Sequence, residues 1–162
     1  MTGEAVAARV HAYAWTDRKP GLERTRALLA ALGSPEKALK FVHITGSNGK
    51  GSTAAMLVSV LAAAGYRTGL FTSPHLHRFN ERFQVNGTPI PDAALDRLTE
   101  RVLAAADMLP EHPTEFELMT AIGFLWFAEA GCDLVVVEVG LGGRLDSTNV
   151  IPAPEAAVIT NI

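Results

Sequence analysis

Apolar and polar positions along the chain fall into blocks that switch between helical and strand periods. Ala5 to Trp15 is alanine-rich, and Leu22 to Leu32 carries apolar residues at helical spacing up to Gly33. The first 40 residues therefore read as a helical segment, broken at Lys19-Pro20-Gly21. Phe41 to Thr45 is a β-rich run that ends on a glycine loop, and Thr53 to Ala64 reads as a helix closed by Gly65. Thr68 to Phe71 predicts a second strand, and Ser73 to Asn80 is polar and irregular. Arg82 to Val85 predicts a strand that runs into the tight turn Asn86-Gly87. Asp92 to Leu109 is amphipathic and enters through Pro91, whereas the helix Thr114 to Ala130 is apolar enough to be buried. Asp133 to Val139 holds five valine or leucine residues in seven, the pattern of a central parallel strand. Ala156 to Thr160 is a last short strand.

Strands separated by helices predict a three-layer α/β fold with a largely parallel sheet. The expected organisation is a helical segment over 1–40 and a nucleotide-binding domain over 41–162. Ligand loops in such sheets lie at the carboxyl ends of strands, so a chain that stops two residues after a strand is read as truncated.

Composition narrows the function classes. With 162 residues, 48% of them hydrophobic, the chain can bury one core and is too apolar for disorder. No run approaches the roughly 18 apolar residues of a membrane span. Fourteen basic against 17 acidic side chains leave no basic footprint for nucleic acid or anionic lipid. Cys132 is the only cysteine, which excludes an internal disulfide, and Met1-Thr2-Gly3-Glu4 lacks a signal-peptide profile. The expectation is a cytoplasmic protein.

Chemistry concentrates first in Gly46-Ser47-Asn48-Gly49-Lys50-Gly51-Ser52, between a predicted strand and a predicted helix. Glycines let the backbone turn its N–H groups onto an anion, the helix N-terminus adds about half a positive charge, and Lys50 adds a full one. Such a loop suits the β- and γ-phosphates of a nucleotide. It departs from GxxxxGK[ST], because Ile44 stands at the first glycine position and Gly51 separates Lys50 from Ser52. The alternative is an ordinary glycine turn with an exposed lysine.

That departure resembles the Mur ligase superfamily, in particular the branch of folylpolyglutamate synthase and dihydrofolate synthase with its G-[TS]-N-G-K-G-[ST] loop. Gly21-Leu22-Glu23-Arg24, Thr72-Ser73-Pro74-His75-Leu76, Glu138 to Asp146 and Ser147-Thr148-Asn149 strengthen the likeness, which runs from about residue 20 to the end. The resemblance implies a P-loop NTPase-like central domain and an ATP-dependent ligase. In such an enzyme a substrate carboxylate takes the γ-phosphoryl group, and the amine of L-glutamate then displaces phosphate. The substrates implied are ATP, L-glutamate, and dihydropteroate or tetrahydrofolate polyglutamates.

The same resemblance assigns residues. Lys50 and Glu138 become catalytic, the loop from Gly46 to Ser52 binds ATP, and Ser73 with Glu138 holds Mg²⁺. An arginine ion pair, for example with Arg144, is the other way to keep the Glu138 carboxylate in an apolar strand. Gly21, Leu22, His75, Thr114, Glu115, Phe116, Glu117, Arg144, Leu145 and Asp146 are the expected substrate contacts. Five of these have competing explanations. Thr114 and Glu117 also form a capping box, Arg144 and Asp146 could simply pair, and His75 with His77 could face one way as a metal pair. The family pattern favours an uncharged residue at Glu115.

The resemblance further implies parts outside these residues: a metal-binding histidine, a carbamylated lysine and a C-terminal domain. The chain is accordingly expected to be an inactive N-terminal fragment of an enzyme that is monomeric at full length, with an apolar docking face that promotes self-association. Two rivals remain at this stage, another Mur-type amino-acid ligase and a non-catalytic nucleotide-binding module.

Overall fold

The computed structural model describes residues 1–14 and 19–162. Five helices and six strands follow in chain order: α1 (Gly3–His11), α2 (Glu23–Ala31), β1 (Phe41–Thr45), α3 (Lys50–Ala63), β2 (Thr68–Phe71), β3 (Phe83–Val85), β4 (Thr88–Pro89), α4 (Asp92–Ala106), α5 (Glu115–Glu129), β5 (Leu134–Glu138) and β6 (Ala156–Ile159). The sheet order is β4-β3-β2-β5-β1-β6. Its four central and right-hand strands, β2, β5, β1 and β6, run parallel, and the β3–β4 hairpin adds an antiparallel edge. The expected three-layer α/β architecture is therefore present.

Each face of β5 is covered, which explains its unbroken apolar run. Val136 packs with Val42, Ile44 and Leu70 under Ala54 and Val58 of α3. Val135 and Val137 point the other way, into a larger core with Phe41, Phe71, Phe124, Phe127 and the buried faces of α1, α2, α4 and α5. Asn86 and Gly87 both have positive φ (47° and 78°), the primed hairpin geometry that the Asn-Gly pair favours.

Element boundaries differ from the sequence expectation where local hydrogen bonding decides them. Helix α1 begins at Gly3, because the Thr2 hydroxyl accepts the Ala5 N–H, and the Trp15 end of the predicted helix lies outside the described residues. Helix α4 stops at Ala106 rather than Leu109. Short 3₁₀ turns at Pro35–Ala38, Phe79–Arg82 and Ser147–Val150 have no hydrophobic period to announce them. The Phe79–Arg82 turn holds Arg82, so the strand β3 begins one residue later than predicted. Among the described residues no helix is long and apolar enough to cross a membrane.

Cys132 is buried behind α5, and burial pushes its thiol up to about 11, because a thiolate there would lose its hydration. A thiol-specific disulfide reagent at pH 8 should therefore leave the native protein unlabelled and titrate one thiol after denaturation. Rapid labelling of native protein would contradict this burial.

Candidate functional site

The phosphate loop is built where β1 gives way to α3. Helix α3 starts at Lys50, three residues before the predicted start, so Lys50, Gly51 and Ser52 form its first turn. The first helical hydrogen bond is Thr53 N–H to Gly49 O at 2.9 Å, which leaves the preceding amides without an intrahelical acceptor. Gly49 enters the helix at φ 82°, and Lys50 Nζ lies 2.8 Å from Gly46 O, folded across the loop. Those free amides, the helix dipole and the Lys50 ammonium together form an anion site. Gly46 (φ 139°) could not be another residue, since a Cβ there would fall 2.1 Å from Thr160 Oγ1. Thr160 itself donates to Asn48 O (2.6 Å), and Ser47 N–H donates to Asn161 O (2.6 Å). The exit of β6 thus braces the loop.

Glu138 ends β5 with only 5% of its surface exposed. Its Oε2 accepts the Thr72 hydroxyl and, at 3.2 Å, the Ser73 N–H. A Cβ on Gly51 would stand 3.5 Å from the same oxygen, so the phosphate loop closes over this carboxylate. The ion pair with Arg144 is not formed; Arg144 is exposed on the loop beyond β5 and has no carboxylate partner among the described residues. Neutral donors, rather than a cation, meet Glu138. No group of three histidine, cysteine or acidic side chains suited to a metal occurs among the described residues, and His75 is engaged by Arg82 through Nδ1. One carboxylate and the Ser73 hydroxyl form a sparse hard-oxygen set. That composition fits Mg²⁺, which keeps waters and takes substrate phosphates as its other ligands.

A cavity of about 750 Å³ opens beside Ser73, within the usual range for small-molecule sites. Its walls come from Pro20, Gly21 and Arg24 before and in α2, Ser73 and Pro74 after β2, Arg82, the first turn of α5 from Thr114 to Glu117, and the glycine loop from Gly140 to Asp146. Phe116 presents its ring there, edge-on to Phe71 at 5.8 Å. A Cβ on Gly140 would come within 2.5 Å of that ring, so ring and loop meet only because residue 140 is glycine.

Asp146 does not pair with Arg144. Its Oδ1 accepts the Gly140 and Leu141 amides (3.1 and 3.0 Å), and its Oδ2 accepts the Thr148 amide (3.0 Å) and hydroxyl. His43 Nε2 lies 2.8 Å from Thr148 Oγ1. Burial pushes the His43 imidazole down, with the nearby Asp146 carboxylate opposing the shift, so the ring is neutral at pH 7. The glycine loop is thus tied through Asp146 and Thr148 to the central strand β1, and the Thr45 hydroxyl adds a bond to Gly142 O at 2.5 Å.

Glu117 accepts the Thr114 N–H at 2.8 Å, the expected cap, and also takes the Arg24 guanidinium at 2.9 to 3.2 Å. Hydrogen bonding to Glu117 raises the Arg24 pKa further. Glu115 lies 3.1 Å from His11 Nδ1. Leu145 lines the cavity while remaining half-exposed. Leu22 and His75 stand outside the lining: Leu22 is buried at the N-cap of α2, and His75 Nδ1 accepts a hydrogen bond from Arg82 Nε at 3.0 Å. Arg24 and Arg82 were not singled out as site residues from the sequence. Only the motif Gly21 to Arg24 hinted at the first, and nothing local marked the second.

No protein-family model matches the chain. Relatives are nonetheless clear. The dihydrofolate synthase/folylpolyglutamate synthase of Bacillus subtilis is 50% identical over 149 residues, 89% of this chain and 34% of that protein. The apo form of Lacticaseibacillus casei folylpolyglutamate synthase superposes with a TM-score of 0.92 at 41% identity, over 98% of this chain and 40% of that one. Escherichia coli FolC in complex with DHPP and ADP gives 0.90 at 35% identity, over 99% of this chain and 38% of that one. The chain therefore spans between a third and two-fifths of the length of the relatives it matches. It has their Mur-ligase-type fold and, with half of its aligned residues identical to one of them, belongs to the folylpolyglutamate synthase/dihydrofolate synthase family, matching the N-terminal region.

Proposed function

We propose that this chain carries the ATP-phosphate and pteroyl sites of an ATP-dependent ligase that joins L-glutamate to dihydropteroate, to tetrahydrofolate polyglutamates, or to both. The observation that carries the reading is the convergence on Glu138. The phosphate loop covers this carboxylate through Gly51, while Ser73, bonded to it, also lines the 750 Å³ cavity. A nucleotide and an aromatic acid would therefore meet at one point. Support also comes from the E. coli relative, which was solved with DHPP and ADP.

In this reading Lys50 and the amides of α3's first turn hold the β- and γ-phosphates. Glu138 and Ser73 would hold Mg²⁺, which supplies charge neutralisation on the phosphate oxygens. Phe116 offers a ring face to a pteridine or benzoyl group, and Asp146 fixes the Gly140–Leu141 wall against it. The substrate carboxylate oxygen attacks the γ-phosphorus, ADP leaves, and the resulting acyl phosphate is opened by the amine of L-glutamate with loss of phosphate. In this reading residues 1–162 supply the first half of that sequence, and L-glutamate would be held by residues beyond the third to two-fifths of the relatives' length that this chain spans. Ligation by the chain alone is therefore not expected. A cytoplasmic setting is part of the same reading. Exposed Met56 and Val60 on α3, with Ile159 on β6, favour self-association.

Lys50→Ala tests the phosphate site. Removing the loop's one full charge should raise the ATP Kd measured by calorimetry at least fivefold, or more than about 1 kcal/mol. Equal affinities for the two proteins would overturn the assignment.

A further inference from the structure

We propose that Arg82 receives the carboxylate of the pteroyl substrate at the metal-side end of the cavity, an inference that rests on the function proposed above. Arg82 lines the cavity, and its position relative to the reacting centre is fixed by the main chain. Its carbonyl accepts the Thr72 N–H at 3.2 Å, and the Thr72 hydroxyl in turn donates to Glu138. A carboxylate that is to attack a phosphate held beside Glu138 has to lie within about 3–3.5 Å of it, which is this end of the pocket.

The contacts of the side chain leave it one unmet need. Nε donates to His75 Nδ1 at 3.0 Å, and the guanidinium carbon sits 5.5 Å from the centroid of Phe79. Both partners orient the group without neutralising it. Among the described residues no carboxylate lies within ion-pair distance of Arg82, whereas Arg24 has Glu117 and Glu111, and Arg97 has Glu129. Burial pushes its pKa down, opposed only by the more distant Glu115. Arg144, the other cavity cation without an acidic partner, is exposed and keeps its water. With Nε occupied, the two terminal nitrogens of Arg82 remain as a planar fork suited to a carboxylate. A partly desolvated cation in such a place calls for an anion from the ligand.

The test uses two probes that differ in one charge, pteroate and its carboxamide, titrated by calorimetry into this chain and its Arg82→Gln and Arg82→Lys variants. Wild type should prefer pteroate at least tenfold. Arg82→Gln should erase that preference by weakening pteroate alone, with Arg82→Lys restoring part of it and ATP affinity unchanged throughout. Equal binding of the two probes by wild type overturns the inference without any variant, so a poorly folding substitution cannot protect it. Equal weakening of both probes by Arg82→Gln overturns it too, since that is the mark of a merely structural arginine. Failure of wild type to bind either probe would instead remove the pteroyl reading of the cavity, and the inference with it.

Discussion

Glu117→Ala should cost about 3–5 kcal/mol of stability, the scale expected when one partner of a buried ion pair is removed. The Arg24 and Glu117 side chains are 9% and 5% exposed, and the pair is doubly hydrogen-bonded. Deleting the acid leaves the Arg24 guanidinium held only by Lys19 O and by Glu111, whose side chain is 63% exposed and hydrated. The substitution also removes the acceptor for the Thr114 N–H at the start of α5. Glu117→Gln keeps that acceptor and should be markedly milder. Urea unfolding of the three proteins checks this, and a loss below about 1 kcal/mol for the alanine variant would mean that Glu111 and water compensate the cation. Because α2 and α5 form two walls of the cavity, pteroate affinity should fall along with stability.

Glu138→Gln should remove the stabilisation that Mg²⁺ adds to ATP while leaving the fold intact. Ligand at 100 times its Kd stabilises a native state by about 2.7 kcal/mol, an easily read shift in Tm. In the variant the carboxamide oxygen still accepts from Thr72 and Ser73, so the unliganded protein should melt close to wild type. Its shift with ATP plus Mg²⁺ should shrink to that seen with ATP plus a chelator. A strongly destabilised variant that retains the full metal-dependent shift would show that Glu138 serves structure rather than the metal.

What the sequence by itself determined is whatever depends on near neighbours in the chain. The periods of 2 and 3.6 placed five of the six strands and all five helices, because burial of one face is written into successive residues; the two-residue strand β4, exposed on both residues, has no such period. The anion loop was legible for the same reason: strand, glycines, lysine and helix lie within twelve residues, Phe41 to Ser52. So was the Thr114–Glu117 cap, three residues apart. The helix α3 starts at Lys50 rather than at the expected Thr53, because a first-turn residue such as Gly51 gives up no helical hydrogen bond by being there.

The tertiary structure decided which charges have partners. Three chain-distant meetings set the chemistry of the site: Arg24 with Glu117, 93 residues away; His43 with Thr148, 105 away; and Thr72 with Glu138, 66 away. Arg144 was the partner the sequence offered both to Glu138 and to Asp146, and it pairs with neither. Parallel strand order brings β2 and β1 to either side of β5, so the donors that reach Glu138 come from the exit of β2 and not from the loop that follows it. An electrostatic interaction depends on separation in space and on the water excluded around it, and neither quantity is carried by any short stretch of sequence.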